Sequence, residues 1–298
     1  MNRAKFLPRF SFWLTAALTL VGVCLRSIAM LTCFDSEIGY FNNGILPILA
    51  EALYPAIILA SVAMICLIPK PTLPTELTQP HRLPPSLMTG CVLAAFTFMG
   101  LILFFPTLPK NPTGQQIGDF ALRAAPIIIA LPASLYYFFT LRRDGRYPDR
   151  LSLVGFLPVL WGAACIAETY TDFNTPMNGP VKITLQMGFI GVMLIMVAEL
   201  RFRLGKPAPR MALALFSIGT FFCLNGSLPL LVAAVTKQCT NPRQIAYAAV
   251  LFFVGLYGGY TLLPFTHSPA PSPVENPSPA EGTPPAEETP RENGNPDD

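Results

Sequence analysis

Apolar residues occupy this chain in eight long runs that leave no polar face. Segments such as IILASVAMICLI (57–68) and ALALFSIGTFFCL (212–224) are apolar on every side. A helix crosses the hydrocarbon of a bilayer with roughly 20 mostly apolar residues. Windows at about 11–33, 45–68, 87–106, 119–141, 151–173, 181–203, 211–236 and 243–265 meet that requirement. Barrel strands would alternate apolar and polar residues over segments of about 10, a pattern these runs do not show. The predicted class is therefore all-α: a polytopic transmembrane helix bundle with eight spanning helices.

The pattern divides the chain into a bundle over residues 1–266 and a tail over residues 267–298. Nine prolines and seven acids in the tail, with almost no apolar bulk, predict a disordered segment. The proline-rich stretch PKPTLPTELTQPHRLPPS (69–86) reads as a stiff spacer rather than a domain. Near the start, Arg26 follows the first apolar run without a small-x-small cleavage site, so that run is expected to be a retained helix and not a signal peptide.

Composition agrees with the pattern. The chain is 52% hydrophobic and 12% charged, against roughly 25% charged in soluble domains. Lys and Arg fix the expected orientation. Thirteen of them fall on the side of the N-terminus (Arg3, Lys5, Arg9, Lys70, Arg82, Arg142, Arg143, Arg146, Arg150, Arg201, Arg203, Lys206, Arg210) and four on the other (Lys110, Lys182, Lys237, Arg243). Both termini are expected in the cytoplasm of a cell-membrane protein. Trp13, Tyr136 and Tyr137 would then mark the inner boundary, and Tyr40, Tyr170 and Phe173 the outer one. The basic inner loops suit an anionic leaflet, so the lipid bilayer is the expected partner and nucleic acid is not.

Enzyme signatures are missing. The two histidines, His81 and His267, lie outside the runs, so no buried Ser/His or Cys/His pair is expected. No HExxH, GxGxxG or Walker sequence occurs, and the seven cysteines form no metal-binding pattern. Neither an enzyme nor a cofactor is predicted. Cys24, Cys66, Cys91, Cys165 and Cys223 read as packing residues inside spans, while Cys33 and Cys239 fall at the same end of the bundle, where a disulfide is one alternative.

The polar residues inside the runs carry the candidate chemistry. Ionisable groups in a span are expensive and usually face protein or water. At 1.5 Å per residue, Arg26, Glu51, Arg123 and Glu168 lie about 10, 9, 6 and 8 Å beneath the outer ends of their helices. Asp35, Glu37, Asp119 and Asp172 stand on the loops above them. Three pairings are expected: Arg26 neutralises Glu51; Asp119 pairs with Arg123 at i, i+4; and Glu168 and Asp172, like charges at the same spacing, require an arginine, a cation or a proton between them. Glu199, beside Arg201 and Arg203, is expected to reach water. Asn225, in the sequence NGSLP (225–229), marks either a broken helix that lines a site or a plain proline kink.

The candidate binding residues are thus Arg26, Asp35, Glu37, Glu51, Arg123, Glu168, Asp172 and Asn225; among them Arg26, Glu51, Glu168 and Asp172 form either an outward vestibule for a small polar solute or cation, or a set in which one carboxylate reaches water and the rest fix helix register. The alternative function is a non-transporting membrane assembly, scaffold or sensor protein. Shifting the chain by 135 residues aligns Glu37 with Asp172, Asn43-Gly44 with Asn178-Gly179 and Glu51 with Gln186, which suggests a 4+4 parallel pseudo-repeat. The motif FDSEIGYF after a helix bearing Arg26, followed later by AELRFRLG and a basic loop, resembles uncharacterised multi-pass integral membrane proteins of bacteria. That resemblance implies a bacterial cell membrane and brings no activity with it.

Overall fold

The computed structural model describes residues 3–35, 38–42, 44–68, 83–140, 153–172, 175–176 and 178–266. Residues 69–82 of the spacer, the basic loop bearing Arg142 to Arg150, Glu37, both histidines and the tail lie outside them, whereas residues 83–86, read from sequence as the end of the spacer, open a helix. Among the described residues eight long helices follow one another: α1 (Arg3–Thr32), α2 (Ile45–Leu67), α3 (Leu83–Met99, continued by a π-helical turn Gly100–Phe104), α4 (Gly114–Phe139), α5 (Phe156–Thr171), α6 (Pro180–Arg203), α7 (Pro209–Val235) and α8 (Pro242–Thr261). A last turn, α9 (Leu263–Thr266), closes the bundle. Between α1 and α2 stands a two-stranded antiparallel hairpin, β1 (Phe34–Asp35) and β2 (Tyr40–Phe41), with Phe34 opposite Phe41.

Seven of these helices are long and apolar enough to cross a membrane, and the chain is a multi-pass membrane protein. The eighth, α5, has 16 residues, about 24 Å at 1.5 Å per residue. It nevertheless traverses the bundle. Arg9 Nε donates a hydrogen bond to the Thr266 carbonyl at 2.9 Å, so α1 begins where α8 and α9 end. An even number of traverses is needed for that, and α5 supplies the eighth.

Burial separates core helices from peripheral ones. In α6, α7 and α8, 56%, 67% and 61% of the spanning window is buried, against 33% in α1 and α3 and 28% in α2. The outer helices turn large apolar side chains outward, among them Trp13, Leu20, Ile45, Leu59 and Ile102, each more than 60% exposed. Exposure of this kind over several helices is what lipid accepts and water does not. Glycine lets the central helices approach: a Cβ on Gly191 would stand 2.7 Å from the Gly219 carbonyl, and one on Gly219 would stand 2.7 Å from the Gly191 carbonyl. Backbone meets backbone there, as small residues permit in membranes.

The helix pairing is not duplicated between the halves. α6 and α7 pack along much of their length, whereas their counterparts under a 4+4 repeat, α2 and α3, form no substantial contact among the described residues. The expected pseudo-repeat is therefore not built. Gly188, Gly191, Gly219 and Gly226 bring α6 and α7 together, while Gly90 and Gly100 on α3 face α4 instead.

Other local expectations are settled by packing. α7 runs unbroken through Pro229, so NGSLP does not interrupt the helix. On α8, Gly255 packs against Leu224 and Cys223, and Gly258 against Ile195 and Thr220. Tyr136 and Tyr137 are 2% and 0% exposed, so they pack in the core instead of marking a lipid boundary. All seven cysteines are free thiols; Cys239 Sγ contacts Gln244 Oε1 at 3.6 Å, and Cys33 contacts the hydroxyl of Thr32 at 3.3 Å. Cys24, Cys66 and Cys91 are exposed, and only Cys165 and Cys223 among the five within spans pack in the interior.

Candidate functional site

α8 begins sharply. Asn241 caps it by accepting from the Arg243 N–H at 3.1 Å, and Pro242 occupies the first turn. This places Arg243 and Tyr247, four residues apart, on one face. A cation in the first turn opposes the positive end of the helix dipole, so it needs an acid. Glu168, 7% exposed on α5, provides it: Arg243 Nη1 lies 3.2 Å from Glu168 Oε1, and Tyr247 Oη donates to Glu168 Oε2 at 3.0 Å. Arg243 Nη2 also donates to the Arg123 carbonyl at 2.9 Å. One guanidinium thus joins α4, α5 and α8.

Aromatic packing holds the phenol in place. The Tyr247 ring lies 5.2 Å from Phe96 and 5.1 Å from Phe189, and Phe189 meets Trp161 at 5.7 Å. Hydrogen bonds to charged groups contribute about 1.5–3 kcal/mol. Tyr247→Phe, which keeps the ring and removes the donor, is expected to destabilise the protein by about that amount. Thermal unfolding in detergent measures it, and an unchanged midpoint would mean that Glu168 does not depend on the phenol.

Beside this cluster lies a cavity of ≈30 Å³ bordered by Glu168, Asp172, Lys182, Asn241, Arg243 and Gln244, among others. Its acids are already engaged. Both Glu168 oxygens have partners, and Asp172 Oδ2 accepts from Thr175 at 3.0 Å. Its bases retain donors. Lys182 is 3% exposed and donates to the Asp172 carbonyl at 2.9 Å, leaving two of its three protons, and Arg243 Nε is buried without a partner. The cavity therefore offers the remaining protons of Lys182 to an acceptor, while Arg243 Nε is shut away from it. Among the described residues no group of three His, Cys, Asp or Glu side chains gathers as a metal site would require.

Of the residues singled out from sequence, the structure brings Glu168 and Asp172 to this cavity and disperses the others. Arg123 is exposed and contributes its carbonyl; no ion pair with Asp119 forms among the described residues. Asp35 builds the hairpin turn, its carboxylate accepting from the Ile38 N–H at 3.3 Å and its carbonyl from Gly39 at 2.8 Å. Asn225 donates to the Phe221 carbonyl at 3.1 Å and fits the notch left by Gly22 on α1. Arg26 does not pair with Glu51. Arg26 is 4% exposed and turns inward to the Pro180 carbonyl at 3.0 Å, whereas Glu51 is exposed. Equal depth did not bring them together, because the two side chains leave α1 and α2 in different directions.

The residues that complete the cavity, Lys182, Arg243 and Tyr247, were not singled out in the sequence. The spacing of Arg243 and Tyr247 was a visible signal, and so was the need of Glu168 and Asp172 for a cation. At the opposite end, Glu199 is 0% exposed and does not reach water. It pairs with Arg203 and accepts from Tyr257 Oη at 2.5 Å, while Arg203 Nε donates to Tyr136 Oη at 3.0 Å. Both ends of the core thus carry a buried glutamate, an arginine and a tyrosine of α8.

The architecture defines an all-α, multi-pass membrane bundle with a small polar cavity at its hairpin end. No family model, no curated protein and no solved structure matches the chain.

Proposed function

We propose that the chain is a multi-pass protein of a bacterial cell membrane, with both termini in the cytoplasm, that binds and moves a small polar solute or ion through the cavity between α5, α6 and α8. Carrying this reading is the buried Lys182, which keeps two protons beyond the one carbonyl it binds and lines, with Arg243, a hollow beside a satisfied Glu168. A volume of ≈30 Å³ accommodates about two or three waters or one small ion, since a water needs about 10–15 Å³ by this measure. The donor-rich lining favours an acceptor, such as a small anion or a carbonyl oxygen, over the cation that the acidic residues suggest by themselves. A larger solute requires α8 to part from α5, which breaks the Glu168–Arg243 pair.

Proteoliposomes of the full chain loaded with formate, nitrate or urea test this reading. Efflux of at least one probe is expected to exceed that of protein-free vesicles by roughly tenfold or more and to fall to background in Lys182→Met. Rates equal to empty vesicles for every probe would sink transport. Direct closure of the Glu168–Arg243 pair favours a second reading, a non-transporting assembly, scaffold or sensor protein in which that pair fixes helix register. Crosslinking that recovers a defined partner together with silent vesicles would select it.

A further inference from the structure

Arg26 presents a separate problem of charge. Its guanidinium is 4% exposed, and no carboxylate pairs with it among the described residues. It donates to the Pro180 carbonyl at 3.0 Å and lies 5.9 Å from the ring of Phe41 and 5.8 Å from that of Tyr54. Guanidinium has five N–H donors, and the carbonyl takes one of its nitrogens. Ring faces attract a cation weakly compared with what burial of an unpaired charge costs. The Tyr54 hydroxyl, on one of the rings beside Arg26, is itself buried without a partner.

Next to the guanidinium is a hollow of ≈10 Å³, bounded by Arg26, Met30, Val181, Thr184, Gly226 and Leu230. It lies on the α1–α7 side of α6 and is lined by none of the residues of the cavity described above. α6 starts here, with Pro180 in its first turn and 24 residues in all. A buried arginine and a hollow of one-atom size thus meet between α1, α6 and α7.

We propose that this hollow is an oxyanion seat, in which one oxygen of a carboxylate or phosphate group neutralises Arg26. The hollow admits a single oxygen, so the rest of the anion extends out of it. Arginine suits the purpose because its planar fork matches carboxylate and phosphate oxygens. Two sources supply such a group: a free solute anion and the headgroup of an anionic phospholipid.

The test is thermal unfolding of the full chain in neutral detergent at fixed ionic strength set with sodium chloride. Formate and inorganic phosphate probe the free source; dioctanoyl phosphatidylglycerol probes the lipid source, with dioctanoylglycerol as its phosphate-free control. A saturable rise in midpoint is expected with an oxyanion, its half-maximal concentration rising at least tenfold in Arg26→Gln. Leu230→Phe, which fills the hollow and leaves Arg26 in place, is expected to weaken the response equally and guards against a folding defect in the first variant. A response to formate or phosphate supports the free source, and one confined to the phosphatidylglycerol supports the lipid source. No response to any oxyanion in the unaltered protein, or a response unchanged in both variants, overturns the proposal.

Discussion

Arg203→Met is expected to destabilise the bundle by about 3–5 kcal/mol, because it leaves Glu199 buried as an uncompensated charge. The carboxylate is 0% exposed and is held from α4, α6 and α8: Arg203 pairs with it, Tyr257 donates to it at 2.5 Å, and Tyr136 accepts from Arg203 at 3.0 Å. The Arg203 guanidinium also lies 5.5 Å from the Tyr136 ring, a contact that methionine keeps only as apolar packing. Replacing both charges, Glu199→Met with Arg203→Met, is expected to recover most of the loss, since an apolar pair of similar volume is often neutral. Unfolding of the single and double variants in a detergent titration measures the difference. A single variant as stable as the parent would show that Glu199 finds water after all.

Gly191→Ala is expected to cost more than the about 1–3 kcal/mol usual for overpacking, because the obstacle is backbone. A Cβ at Gly191 meets the Gly219 carbonyl at 2.7 Å, the Cys223 sulfur at 2.9 Å and the Phe222 Cβ at 2.9 Å. No rotamer change clears a carbonyl, so α6 and α7 must separate, and they hold the core together. Gly118 supplies the contrast. It lies on an exposed face of α4, where an added Cβ would meet nothing within 4 Å, and Gly→Ala in a helix gains up to about 1 kcal/mol. Gly118→Ala should therefore leave the midpoint unchanged or raised while Gly191→Ala lowers it, and equal midpoints would refute the close packing of α6 on α7.

The cavity was half legible in the sequence. Glu168 and Asp172 stand four residues apart with like charge, and that spacing calls for an arginine, a cation or a proton between them. Which of these answers it was not legible, because Arg243 lies far along the chain and meets Glu168 only when α8 folds against α5. Depth misled for Arg26 and Glu51. Counting residues gives height along a helix but not the direction in which a side chain leaves it, and these two share a height without sharing a space. Glu199 misled in the opposite sense: its partner was visible at i, i+4, but the tyrosines that enclose the pair come from α4 and α8.

By itself the sequence determined the class of the protein and its helices, because the hydrocarbon thickness sets a local requirement that each apolar run meets or fails on its own. It also determined that the internal charges need company. Tertiary structure alone decided which company: Arg243 and Tyr247 for Glu168, Arg203 and Tyr257 for Glu199, and a backbone carbonyl for Arg26. Apolar length is a property of one segment, whereas the neutralisation of a buried charge depends on which helices are neighbours, and that was set by where glycine let backbones touch.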